Sequence, residues 1–118
     1  MQKKGSLKMA LSSYKTEGGL LKVSSKSSPA SVAGAIAGMV KDKTPVEIQA
    51  VGAGAVNQAI KAVAISRGFL SPVGIEVSCT PSFTDIVIDG QYRTAIRLTI
   101  KSSKILPSVA EQPEQNAV

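Results

Sequence analysis

The run Ser24-Ser25-Lys26-Ser27-Ser28 sets one ammonium among four hydroxyls, directly ahead of Pro29. Ser28 is a favourable helix N-cap and Pro29 suits the first helical position, so this loop feeds a helix start. Lysine, hydroxyl groups and free helix amides are the groups that hold phosphate oxygens. Lys22 adds a cation four residues before Lys26. A capping loop that happens to be basic is the plainer reading. The coincidence of three phosphate-binding features favours binding.

A second junction, this one bearing glycines, is Gly52-Ala53-Gly54-Ala55-Val56-Asn57, between a strand pattern and a helix pattern. A dinucleotide fingerprint would lie there, but Asn57 stands where its third glycine belongs. Glu76 stands downstream where a ribose ligand would be sought. A tight turn whose small residues let helix and sheet pack closely accounts for the same residues, and a small anion at the helix start is a further reading. Asn57 and Lys61 are spaced i and i+4 and share one helix face beside Gln58. That face suits either solvent or a ligand. Arg93, Arg97 and Lys101 share strand parity and make a basic stripe, or else the solvated side of a strand. Arg67 is one more cation near the end of the second helix.

The inventory for catalysis is poor. The chain has no histidine and one cysteine, Cys79. No intramolecular disulfide, no common zinc site and no histidine-based mechanism is available. Asp42, Glu47, Glu76, Asp85 and Asp89 are scattered, and Cys79 falls on the apolar face of a strand, where an inert buried thiol is expected. The expectation is a non-enzyme without cofactor or metal.

These residues need elements to position them. Of 118 residues, 43% are hydrophobic but only 3% aromatic, so a single core must be built from Ala, Val, Ile and Leu. The net charge of +6 suits nucleic acid or an anionic membrane, and equally plain solubility. No apolar run approaches the roughly 20 residues of a membrane span, and the N-terminus lacks the apolar stretch of a secretory signal. A cytoplasmic protein without membrane contact is expected.

Residues 1–19 read as a mobile basic arm, with Lys3, Lys4, Lys8 and Lys15 against Glu17. Residues 102–118 read as a disordered tail. The folded unit is expected over 20–101, with six lysines and three arginines against five acids. Leu20–Val23 is a short first strand. A helix follows from Pro29 to about Lys41–Lys43, with Val32, Ile36, Met39 and Val40 inward, and Pro45 ends it. Val46–Val51 is a second strand. A second helix runs from Ala55 to about Ser66, with Val56, Ile60 and Val63 as its buried stripe, Ala59 and Ala64 beside it, and Gly68 as its stop. Val73, Ile75, Val77 and Cys79 form the inner face of a third strand, which Pro81 marks as an edge or bulged strand. Asp85–Ile88 continues extended, and Asp89-Gly90 is a two-residue hairpin turn. Gln91–Lys101 is the fourth strand, with Thr94, Ile96, Leu98 and Ile100 on one face. The order β-α-β-α-β-β gives an α/β two-layer sandwich: a mixed four-stranded sheet with both helices on one face. Strands one to three are free to pair in parallel or mixed fashion, and the last two make an antiparallel hairpin.

Three stretches resemble the stage V sporulation protein S family: Ser24 to Gly38, Glu47 to Phe69, and Pro81–Ile86 with Asp89-Gly90 and Arg93–Ile96. The resemblance covers about residues 20–101. It implies a compact relative of the Alba fold, a tendency to form homodimers, and a link to sporulation and developmental regulation. Alba-like proteins bind DNA or RNA through a basic first loop, the second helix and the final hairpin. By position this points to Lys26, Asn57, Lys61, Arg93 and Arg97, beside Lys22 and Arg67 from the charge pattern. The hairpin tip departs from that pattern: Asp85 and Asp89 make it acidic where an Alba-like arm is basic. Two functions are therefore in view: a dimeric regulator holding nucleic acid mainly by its phosphates, or a protein-interaction module using the Gly52–Gln58 surface or the hairpin. The first gains if Lys26, Lys61 and Arg97 fall on one continuous face of the folded dimer, and fails if they scatter.

Overall fold

The computed structural model of the chain describes residues 18–105. All but the last two residues of the expected basic arm, and all but the start of the expected tail, lie outside them. Seven elements follow one another: β1 (Leu20–Val23), α1 (Pro29–Lys41), β2 (Val46–Ala50), α2 (Ala53–Leu70), a 3₁₀ turn (Ser71–Val73), β3 (Ile75–Ile88) and β4 (Gln91–Lys104). They form the expected α/β sandwich. The sheet order is β1-β2-β4-β3. β1 and β2 pair in parallel, while β4 runs antiparallel to both β2 and β3. Strands one to three therefore point the same way, but β3 does not touch β2, because β4 is inserted between them.

Alternation builds the core. Leu21, Val23, Val46, Ile48, Ala50, Val77 and Leu98 share the helix-covered side of the sheet and are buried. Val32, Ile36, Met39 and Val40 of α1 meet them as the sequence predicts. Ser28 caps α1 by accepting from the Ser31 amide at 3.3 Å. Full burial of an aliphatic side chain such as Ile36 or Leu98 contributes about 1.5–3 kcal/mol. Among the described residues the one buried polar side chain, Ser66, donates to the Val63 carbonyl at 2.7 Å, so no desolvated hydroxyl is left unpaired there.

The second helix departs from the expectation in phase and in length. Its buried stripe is Ala55, Ala59, Ala62, Val63, Ser66 and Leu70, while Ile60 is 45% exposed and Ala64 is exposed. The stripe turns toward small residues because α2 packs against α1, where Ala33 and Ala37 are buried, and two helices approach closely only over alanines. Gly68 does not stop the helix: the last turn continues to Leu70, and Ser71-Pro72 ends it. Val73 lies in the 3₁₀ turn, 56% exposed, and not in the third strand. Gly74, at φ +78°, closes that turn in a left-handed conformation, so the strand begins only at Ile75.

β3 runs unbroken through Pro81, which is tolerated because β3 is an edge strand paired on one side only. Asp89 and Gly90 both take positive φ, as a tight two-residue hairpin turn requires. β4 extends to Lys104, three residues beyond the expected domain end. Thr94 has core parity yet is exposed, and Ala95 has the opposite parity yet is buried. The hairpin outruns the rest of the sheet. β2 ends at Ala50, opposite Ile96, which pairs with Phe83. From Phe83 to Ile88 the hairpin continues for roughly 17 Å as a free arm. It curls over the open side of the sheet, so that Ile86 and Ile88 face Lys22, Gln49 and Val51 across a cleft of about 510 Å³.

Candidate nucleic-acid interface

Parallel β1 and β2 both end at the pole of the molecule where both helices begin and where the arm leaves. Neither helix carries an acidic residue in its first turn. The positive ends of two helix dipoles therefore point at this pole without an internal counter-charge. Gly52 supplies no side chain to cap α2, so the first amides of that helix lack a side-chain acceptor.

The serine loop is a built structure. The Ser24 amide donates to Ser27 Oγ at 2.9 Å, the Lys26 amide donates to Ser24 Oγ at 3.2 Å, and the Ser27 amide donates to the Ser24 carbonyl at 3.1 Å. The hydroxyls thus shape the loop by accepting from its amides. The exposed Lys26 is held at its apex.

Two contacts seat this loop on α2. Gln58 Nε2 donates to the Ser27 carbonyl at 2.9 Å, and Asn57 Nδ2 lies 3.4 Å from Gln58 Oε1. A Cβ at Gly54 would sit 2.9 Å from Ser25 Cβ, so only glycine lets the loop come this near. Gly52 takes φ +91°, a conformation that L side chains rarely adopt. Both glycines of the junction are thus explained by turn and packing. Gly54, Gln58 and Lys61 are spaced i, i+4 and i+7, so Lys61 stands on the arc that the loop touches, about 11 Å along the axis from Gly54. Lys26, Asn57 and Lys61 are each exposed.

The other cations divide. Lys22 lines the cleft under the arm together with Ser24 and Ser25, which links that cleft to the loop. Arg93 is exposed on the arm, opposite Ile86. Arg97 does not join Lys26 and Lys61. The register sets it opposite Gln49 and Ser82, on the open side of the sheet. Its Nη1 lies 3.6 Å from Glu47 Oε1 and its Nη2 donates to Gln49 Oε1 at 3.5 Å. Within one chain Arg97 therefore does not share a face with Lys26 and Lys61, because strand parity sends it away from the helices. Arg67 stands at the far end of α2, about 21 Å along the axis from Ala53, in an ion pair with Glu76 of β3. Glu76 is thereby engaged by Arg67 and does not face the glycine turn.

Residue-by-residue reading named Gly54 in the helix-start turn and Gln58 beside the polar face, but missed that both seat the serine loop. It also missed the aromatics. Phe69, Phe83 and Tyr92, all the aromatic residues among those described, are exposed. Cys79 is half-buried, and lines an apolar groove with Ile60, Val63 and Ala64 of α2 and Val77 of β3. Among the described residues, no helix is long and apolar enough to cross a membrane.

One family model, described as Stage V sporulation protein S (SpoVS), matches residues 19–103. That span takes in every strand and helix above except the final residue of β4.

Proposed function

Since the chain belongs to the stage V sporulation protein S family and its role is sporulation-related, we propose that it is a regulator that binds nucleic acid through backbone phosphates, working as a cytoplasmic homodimer without catalytic activity. The observation that carries this reading is the basic pole: Lys26 on a serine loop seated by Gln58 against the start of α2, with Asn57 and Lys61 on the adjoining arc. Fixed cations beside two uncompensated helix starts give a surface complementary to a polyanion. Lys22 and Arg93 extend it along the cleft and the arm. Arg97 and Arg67 are left out of the contact set, being held by Glu47 and Glu76.

Self-association is supported by the groove between α2 and β3, where Ile60 is exposed beside the free edge of the sheet. A second copy that covers this groove would bury the apolar residues and leave both basic poles open.

Fluorescence anisotropy with labelled nucleic acid across a salt series tests the binding reading. Affinity should fall steeply with salt, and Lys26→Ala and Lys61→Ala should each flatten the log–log slope by about 1. Affinity independent of salt, or no binding near ~100 mM salt, would overturn it.

A further inference from the structure

Every described aromatic side chain is on the surface, and the core contains none. Large rings are normally the most valuable core material, and exposed apolar clusters mark contact surfaces. Two of the rings share the arm. Phe83 is 79% exposed and Tyr92 is 83% exposed. Phe83 pairs with Ile96 and Tyr92 with Val87, so both rings lie on one side of the two-stranded ribbon, four residue levels apart. That is about 13 Å along the strands. The rings are too distant to share one base and are spaced to take separate ones.

We infer that this side of the arm is a stacking platform for the bases of single-stranded nucleic acid, with the basic pole holding the strand's phosphates; the inference rests on the nucleic-acid reading above. The arm leaves the pole where Lys26, Asn57 and Lys61 gather, so a strand anchored there runs on along it. Arg93, next to Tyr92 in sequence, is exposed on the other side of the ribbon, opposite Ile86. Asp85 lies between the two rings on the same side, opposite Thr94. A carboxylate there repels phosphate, which favours a ligand that turns its bases, and not its backbone, toward the rings. A duplex keeps its bases stacked inside and has no ring face to offer this surface, whereas an unpaired strand does. The acidic arm tip, unsuited to a groove lined by phosphates, fits this use.

The test compares a labelled homopyrimidine strand, as DNA and as RNA, with a labelled duplex of equal length. Phe83→Leu and Tyr92→Leu keep the arm apolar but remove the rings. Each should weaken single-strand binding by about 5- to 150-fold and leave duplex binding within about twofold. Tyr92→Phe should keep the wild-type affinity. In a Tyr14→Phe background Tyr92 is the only tyrosine, and its emission should be quenched by the single strand and not by the duplex. Equal losses on both ligands, or no loss, would overturn the platform while the basic pole still stands. A change in molecular mass by light scattering in the Leu variants would also overturn it, by assigning the rings to a protein interface. If the wild-type protein binds neither ligand, the nucleic-acid reading itself falls. The ratio of DNA to RNA affinity identifies which strand the platform prefers.

Discussion

Two glycines in the helices test whether the serine loop is seated as described. Gly34 is in the middle of α1, exposed, and a Cβ there meets nothing within 4 Å. Gly34→Ala therefore gains the difference in helix propensity, about 0.8–1 kcal/mol, with no steric cost. Gly54 is in the first turn of α2, where a Cβ would sit 2.9 Å from Ser25 Cβ. That atom is fixed to the loop backbone and cannot swing aside as a flexible side-chain end could. Either the loop shifts and strains the Gln58–Ser27 hydrogen bond, or the helix start does. Overpacking of this kind costs about 1–3 kcal/mol, and the propensity gain is smaller near a helix end. The expected net effect of Gly54→Ala is a loss of about 1 kcal/mol. The two variants should then differ by roughly 2 kcal/mol, or about 8–16 °C in Tm for a domain of this size. Thermal and urea unfolding followed by circular dichroism measures both. If Gly54→Ala is as stable as Gly34→Ala, the loop is not packed on α2 and the basic pole is not assembled as argued. If Gly34→Ala is itself destabilising, the outer face of α1 is not open at that point.

Gln58→Ala should remove the tie to the Ser27 carbonyl, costing about 0.5–1.5 kcal/mol in urea unfolding, and should weaken nucleic-acid binding although no charge is lost. Ser28→Ala removes the α1 cap and should cost about 1 kcal/mol by the same measurement. Arg67→Gln should change stability by no more than about 1 kcal/mol, because its ion pair is more than half exposed at the arginine, and should leave binding unaltered, because the pair is remote from the pole. Ile60→Lys should shift the molecular mass in light scattering from dimer to monomer without loss of helical signal. An unchanged mass would remove the α2–β3 groove as the self-association surface.

The sequence alone determined the order of the elements, the Ser28 cap, the Asp89-Gly90 turn and the restriction of Pro81 to an edge or bulged strand. Each is a local matter: a hydroxyl one turn before an amide, two residues that accept positive φ, a ring without an N–H. It also placed Lys26 on a loop and Asn57 and Lys61 on one helix face, since periodicity fixes what shares a face. It did not determine which arc of α2 is buried. That depends on how closely α1 approaches, and it moved Ile60 and Ala64 outward. Parity put Arg97 on a strand face, but only the register beside Glu47 and Gln49 decided that its charge is engaged and turned away from Lys26 and Lys61. The reach of the arm was likewise tertiary. Phe83, Val87 and Tyr92 alternate like core residues, and they are exposed because β2 stops at Ala50 and, among the described residues, none lies beyond it to cover them. Local chemistry thus fixed the shape of each piece. The phosphate-binding pole, and the exposure of the only two aromatics on the arm, came from where strands of unequal length end in space.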